Sequence, residues 1–132
     1  MIKFAIFYLL LFLTFSNADQ IYNPGTSGGG GGGGEIITTV TTSVSPYTAT
    51  ATTSINYINA DTSAAGGPIT VTLPDAAAAI NKVFHIKKLG TLGNVIVNPA
   101  GANTIDGQAT MTISGQWSSM HIVSDGNNWF IN

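Results

Sequence analysis

Ser119, His121, Ser124 and Asp125 bring a nucleophile, a base and an acid within seven positions, the residue types that a hydroxyl-activating constellation needs. Their spacing argues against that use. In an extended strand Ser119, His121 and Val123 share one face, and no serine stands in the glycine-flanked turn that lifts a nucleophile clear of a sheet. The carboxylates are Asp19, Glu35, Asp61, Asp75, Asp106 and Asp125. All but Glu35 fall in the N-terminal tether or at turns, where Asp serves local backbone hydrogen bonds. Paired-carboxylate chemistry needs two of them about 5 to 9 Å apart across a groove, and no spacing here implies that. His85 and His121 are the only imidazoles, each in a strand-like run between apolar neighbours. The plain reading is a partly exposed or satisfied sheet histidine; the sharper one uses symmetry, with one His from each chain ligating a metal ion on a threefold axis. Within a single chain the sequence predicts no catalytic residue, no cofactor site and no metal site, and hence a chain that is not an enzyme.

Recognition is the remaining chemistry. Trp117, Trp129, Tyr47, Tyr57 and Phe130 are aromatic surfaces of the kind that stack on sugar rings, or equally core and hairpin packing. Trp129 follows a turn and opens the last strand, which predicts a structural role. Trp117 lies beside Gly115 and Gln116 in a loop-like stretch, so Trp117, Gln116 and Asn103 are the candidate surface contacts, and the loops around Asn98 to Gly107 and Gly115 to Ser118 the candidate contact regions. Nucleic acid is an improbable partner: the 132 residues carry four Lys and no Arg against six acids, a formal charge of −2, so no basic stripe is available to a phosphate backbone. The absence of cysteine excludes a disulfide framework and a thiolate metal site.

These side chains hang on a chain of three parts. Residues 1–18 have one early Lys3, an apolar run from Phe4 to Phe15 and then small polar residues ending at Ala18, the layout of a secretory signal peptide. Twelve apolar residues fall short of the roughly 20 that span a bilayer, so no permanent membrane span is expected, although an uncleaved anchor remains the alternative. A secreted or extracellular location follows. Residues 19–34 include Gly25 and the run Gly28 to Gly34 and read as a flexible linker; the alternative is that several such strings pack as extended three-residue-per-turn helices where chains meet.

Residues 35–132 have an all-β rhythm. Strands are predicted at Ile36 to Ser43, Tyr47 to Ala51, Ser54 to Asn59, Ile69 to Leu73, Lys82 to Leu89, Asn94 to Asn98, Thr110 to Ser114, Ser118 to Ser124 and Trp129 to Ile131. Alternation turns Ile69, Val71 and Leu73 one way, and predicts Phe84 and Ile86 inward. Pro74 to Ile80 is the one helical candidate, at most two turns long. Asp106-Gly107 and Asp125 to Asn128 are turns, the second closing a hairpin. The expected fold is a small β-sandwich or β-prism-like domain of about nine or ten short strands.

Taken in order, Ile69-Thr70-Val71-Thr72-Leu73-Pro74, the alanine-rich connector, Val83-Phe84-His85-Ile86-Lys87-Lys88, Val95-Ile96-Val97, Asn103-Thr104-Ile105-Asp106-Gly107 and Ser124-Asp125-Gly126-Asn127-Asn128-Trp129 resemble a β module repeated across virion appendage proteins. These are the tail-fibre, tailspike and head-fibre proteins of tailed phages, and related proteins of some large DNA viruses. The resemblance covers about Tyr47 to Asn132, and each motif is weak alone. It implies a trimeric fibre module, structural or adhesive, with no catalytic residues to carry over. Composition points the same way, since a chain this poor in charge is weakly protected against association and open strand edges need covering. A neutral monomeric sandwich is the alternative. The expected function is a non-enzymatic structural or attachment module of a virion fibre or similar extracellular appendage, partnered by itself as a homotrimer and by other virion or cell-surface proteins or glycans. The alternative is a secreted microbial adhesin or lectin-like glycan-binding domain. A small secreted hydrolase is the least favoured reading.

Overall fold

Ile69, Val71 and Leu73 all point into the core while Thr70 and Thr72 do not, as period-two alternation requires of a strand with one covered face. The computed structural model describes residues 35–43 and 46–132; the expected leader and glycine linker, residues 1–34, lie outside the described residues. Nine strands are formed there: β1 (Ile36–Val40), β2 (Tyr47–Thr48), β3 (Ile55–Ala60), β4 (Ile69–Thr72), β5 (Val83–Lys88), β6 (Val95–Asn98), β7 (Met111–Ile113), β8 (Ser119–Ser124) and β9 (Trp129–Ile131). Each overlaps a predicted strand. The domain is all-β.

The pairing could not be read from the residues. One sheet has the order β1-β3-β5-β8-β9 and the other β2-β4-β6-β7, and up to β6 the chain crosses from one sheet to the other at every step. Strands therefore pair parallel with the next but one: Ile36 lies beside Asn56, Ile55 beside Val83, and Ile69 beside Val95. Parallel neighbours need a long crossover, and here the crossover is the strand of the opposite sheet. Only the C-terminal part turns back on itself, with β7 antiparallel to β6, β8 to β5 and β9 to β8.

Two predicted strands are cut short by these crossings. After Val40 the carbonyl of that residue accepts from the Asp61 amide at 2.9 Å, and the Ala49 amide donates to Thr72 at 2.8 Å, so the chain leaves one sheet and joins the other sooner than its β-branched composition suggests. The alanine connector is one 3-10 turn, Ala76–Ala79. Asp75 caps it, its Oδ1 accepting from the Ala77 amide at 3.1 Å. Asn81 then takes a positive φ of 59° and donates its amide to Ser124, which draws the chain into β5 before a second turn can form.

Both inner faces feed one core. Phe84, Ile86, Ile122 and Trp129 from the first sheet meet Ile69, Val71, Val95 and Val97 from the second, all fully buried. Each such aliphatic or aromatic side chain contributes about 1.5–3 kcal/mol of burial. Trp129 stands edge-on to Phe84, centroids 5.5 Å apart and planes at 74°, which gives it the structural role predicted for it. Two tight turns close the C-terminal part. Asp106 (φ 48°) and Gly107 (φ 78°) sit between Ile105 and Gln108, whose amides and carbonyls exchange two 2.8 Å hydrogen bonds, as a two-residue turn with both φ values positive demands.

Candidate functional site

The outer face of the five-stranded sheet carries three rows of side chains, set by the pairing register. Ile55, Val83, Val123 and Phe130 form the first; Ile37, Tyr57, His85 and His121 the second; Thr39, Asn59, Lys87 and Ser119 the third. The first row is wholly apolar, with Phe130 41% exposed and its other members half-buried. The second is a stack of rings: Tyr57 lies on His85 with centroids 4.8 Å apart and planes at 16°, and His85 on His121 at 3.9 Å and 19°. Burial in the stack pushes the His85 imidazole below its usual pKa, and the neighbouring His121 adds to that, while Glu35 works in the opposite direction. These rings were visible in the sequence only as residues of separate strands. Their meeting was not, because β5 and β8 are joined through the opposite sheet.

The same geometry separates the serine constellation. Ser119 and His121 face outward, whereas Ser124 faces inward, 1% exposed, with its Oγ donating to the Ala76 carbonyl at 2.7 Å. Asp125 serves the hairpin turn: its Oδ1 accepts from the Asn127 and Asn128 amides, each at 2.8 Å, and those two bonds, Asn128's first, hold its carboxyl below the usual range.

The three candidate contact residues fall in two places. Trp117 is 61% exposed on the turn between β7 and β8, held with a positive φ of 66° while its amide donates to Lys88 at 2.8 Å. Gln116 beside it is exposed, but its Nε2 is tied to the Leu89 carbonyl at 3.0 Å. Asn103 is half-buried on the other predicted loop. Its Oδ1 accepts from the Ala76 amide at 3.0 Å and its Nδ2 donates to the Asn127 carbonyl at 2.9 Å, so its amide braces the connector against the hairpin turn. Of the three, Trp117 has the free face.

Two concavities flank these features. A groove of about 220 Å³ opens between β1 and the segment around β2, lined by Ile36, Tyr47, Ala49, Asn56, Ile58 and Phe84 among others. Its polar floor is already occupied: Asn56 Nδ2 donates to the Thr53 carbonyl at 3.1 Å, and Asn56 Oδ1 accepts from Thr53 Oγ1 at 3.0 Å. A shallower cleft of about 490 Å³ runs beside the β7–β8 turn, past Thr112, Ser118, Met120, His121 and Ile131. Among the described residues no helix is long and apolar enough to cross a membrane. No family model matches the chain, and neither does any curated protein or solved structure.

Proposed function

We propose that this chain is a non-enzymatic structural and attachment module that associates with copies of itself as a homotrimer, in a virion fibre or a similar extracellular appendage, and offers its turn-end loops to a host or partner surface. The observation that carries the reading is the outer face of the five-stranded sheet. A solvated sheet face normally alternates to polar residues; here Ile37, Ile55, Val83, Val123 and Phe130 stand on it with the three stacked rings. An apolar surface that runs across several strands is the mark of an interaction site. The edge strands bear on the same reading: β1, β2, β7 and β9 contain no charged residue, so they lack the charged side chains that guard many edges against association.

The test is the solution mass of the full chain across two decades of concentration, read by sedimentation. A mass three times that of one chain is expected, and a monomer throughout overturns the self-association. The second reading, a glycan-binding adhesin, is favoured by Trp117 alone, an indole with its face open on a turn fixed by the backbone. Binding to a glycan array that disappears in Trp117→Ala would support it.

A further inference from the structure

We propose that His85 and His121 together form a chelating site for a late first-row divalent cation such as Cu²⁺ or Zn²⁺. The two rings belong to one chain and sit directly opposite each other on the antiparallel strands β5 and β8, nearly parallel, with centroids 3.9 Å apart. A metal–imidazole bond is about 2.0–2.1 Å, so two such nitrogens on one tetrahedral ion lie about 3.3 Å apart. Stacked rings do not aim their lone pairs at one point, so binding requires both half-exposed rings to swing out of the stack until their centroids are about 5 Å apart, an opening allowed by directly opposed strand positions, whose Cβ atoms lie about 4.5–5.5 Å apart.

The surroundings favour the site. Imidazole pairs suit Zn²⁺, Cu²⁺ and Ni²⁺, and they bind only when neutral. Among the groups on this face, Glu35 is the acidic group that acts on His85, and Lys87 lies two residues along β5. Among the described residues no group of three or more histidine, cysteine or acidic side chains is placed to hold a metal, so the pair would supply two ligands and water the remainder. This differs from the single histidine per chain around a threefold axis that the sequence suggested: both ligands come from one chain, on the face through which copies are proposed to meet.

The chain has no other histidine and no cysteine, which makes the test clean. Full chain without a histidine tag is titrated with CuCl2 at pH 7.5 and followed by electron paramagnetic resonance. The expected spectrum shows one Cu²⁺ per chain coupled to two imidazole nitrogens. His85→Gln and His121→Gln each weaken binding by about tenfold or more, because one imidazole cannot chelate. Coupling to one nitrogen, binding unchanged in both variants, or no binding below about 1 mM overturns the proposal. As a control that leaves the stack unaltered, ZnCl2 is also added to the unsubstituted protein and its two histidine ring resonances observed: both shift together at one equivalent if the pair chelates, and a shift of one alone contradicts it. Sedimentation of the same samples separates loss of the site from loss of assembly.

Discussion

Val123→Lys places a charge in the middle of the apolar row, between Val83 on β5 and Phe130 on β9. If that face met only water, the lysine would lay its stem along the row and lift its ammonium into solvent. The cost would be the difference in strand preference, within about 1 kcal/mol. In the proposed trimer the same position is covered by a neighbouring copy, and truncating or charging a central contact costs about 2 kcal/mol or more. Threefold symmetry repeats the substitution in every subunit, so the assembly loses about 6 kcal/mol, about four decades in its association constant. Light scattering behind a sizing column at a fixed micromolar concentration reads this as a drop from trimer to monomer mass. Circular dichroism should remain that of the unaltered chain, since Val123 lies outside the core. An unchanged mass with an unchanged melting temperature would refute the assignment of this face as the contact.

Three further outcomes test the fold beneath the site. Phe84→Ala removes a fully buried ring from its edge-on contact with Trp129 and should cost about 3–5 kcal/mol in a denaturant titration; a loss below about 1 kcal/mol would contradict its central place. Asn103→Ala leaves the Ala76 amide and the Asn127 carbonyl without their partner, so the urea midpoint should fall by the equivalent of about 1–3 kcal/mol, with no change in the mass of the assembly. His85 gives a pH dependence: the folded ring gives up its proton at lower pH than the unfolded one, whose ordinary value is 6.5. Its contribution to stability is therefore full above 6.5 and is lost as pH falls through that value toward the folded one. Urea midpoints at pH 7.5 and 5.5 should differ in that sense and the difference should shrink in His85→Gln; a midpoint that rises on acidification would reverse the argument.

Local features of this domain are legible in the sequence because they are set by neighbours in the chain. Strict alternation fixes the inward faces of β4, β5 and β6, Asp75 announces the cap of the 3-10 turn, and Asp106-Gly107 supplies the two positive φ values its turn requires. Pairing is a different matter. Val83 has Ile55 on one side and Val123 on the other, and nothing within reach of Val83 along the chain encodes either. The site inherits that blindness. His85 and His121 are each readable as sheet histidines, but their stacking follows from a register fixed by the core as a whole. Trp117 was readable as exposed because Gly115 and Gln116 mark a turn, whereas the bracing role of Asn103 depends on an alanine connector and a hairpin brought beside it by the fold.

The central claim is that copies of this chain meet through the outer face of the five-stranded sheet. The chain has no cysteine, so a single one introduced at Val123 reports on that face alone, and one at Thr112, exposed on β7 of the other sheet, serves as the control. Treatment of each full-length variant with a short three-armed maleimide should yield covalent trimers from Val123→Cys and single chains from Thr112→Cys. Single chains from both, or trimers from Thr112→Cys instead, would contradict the account.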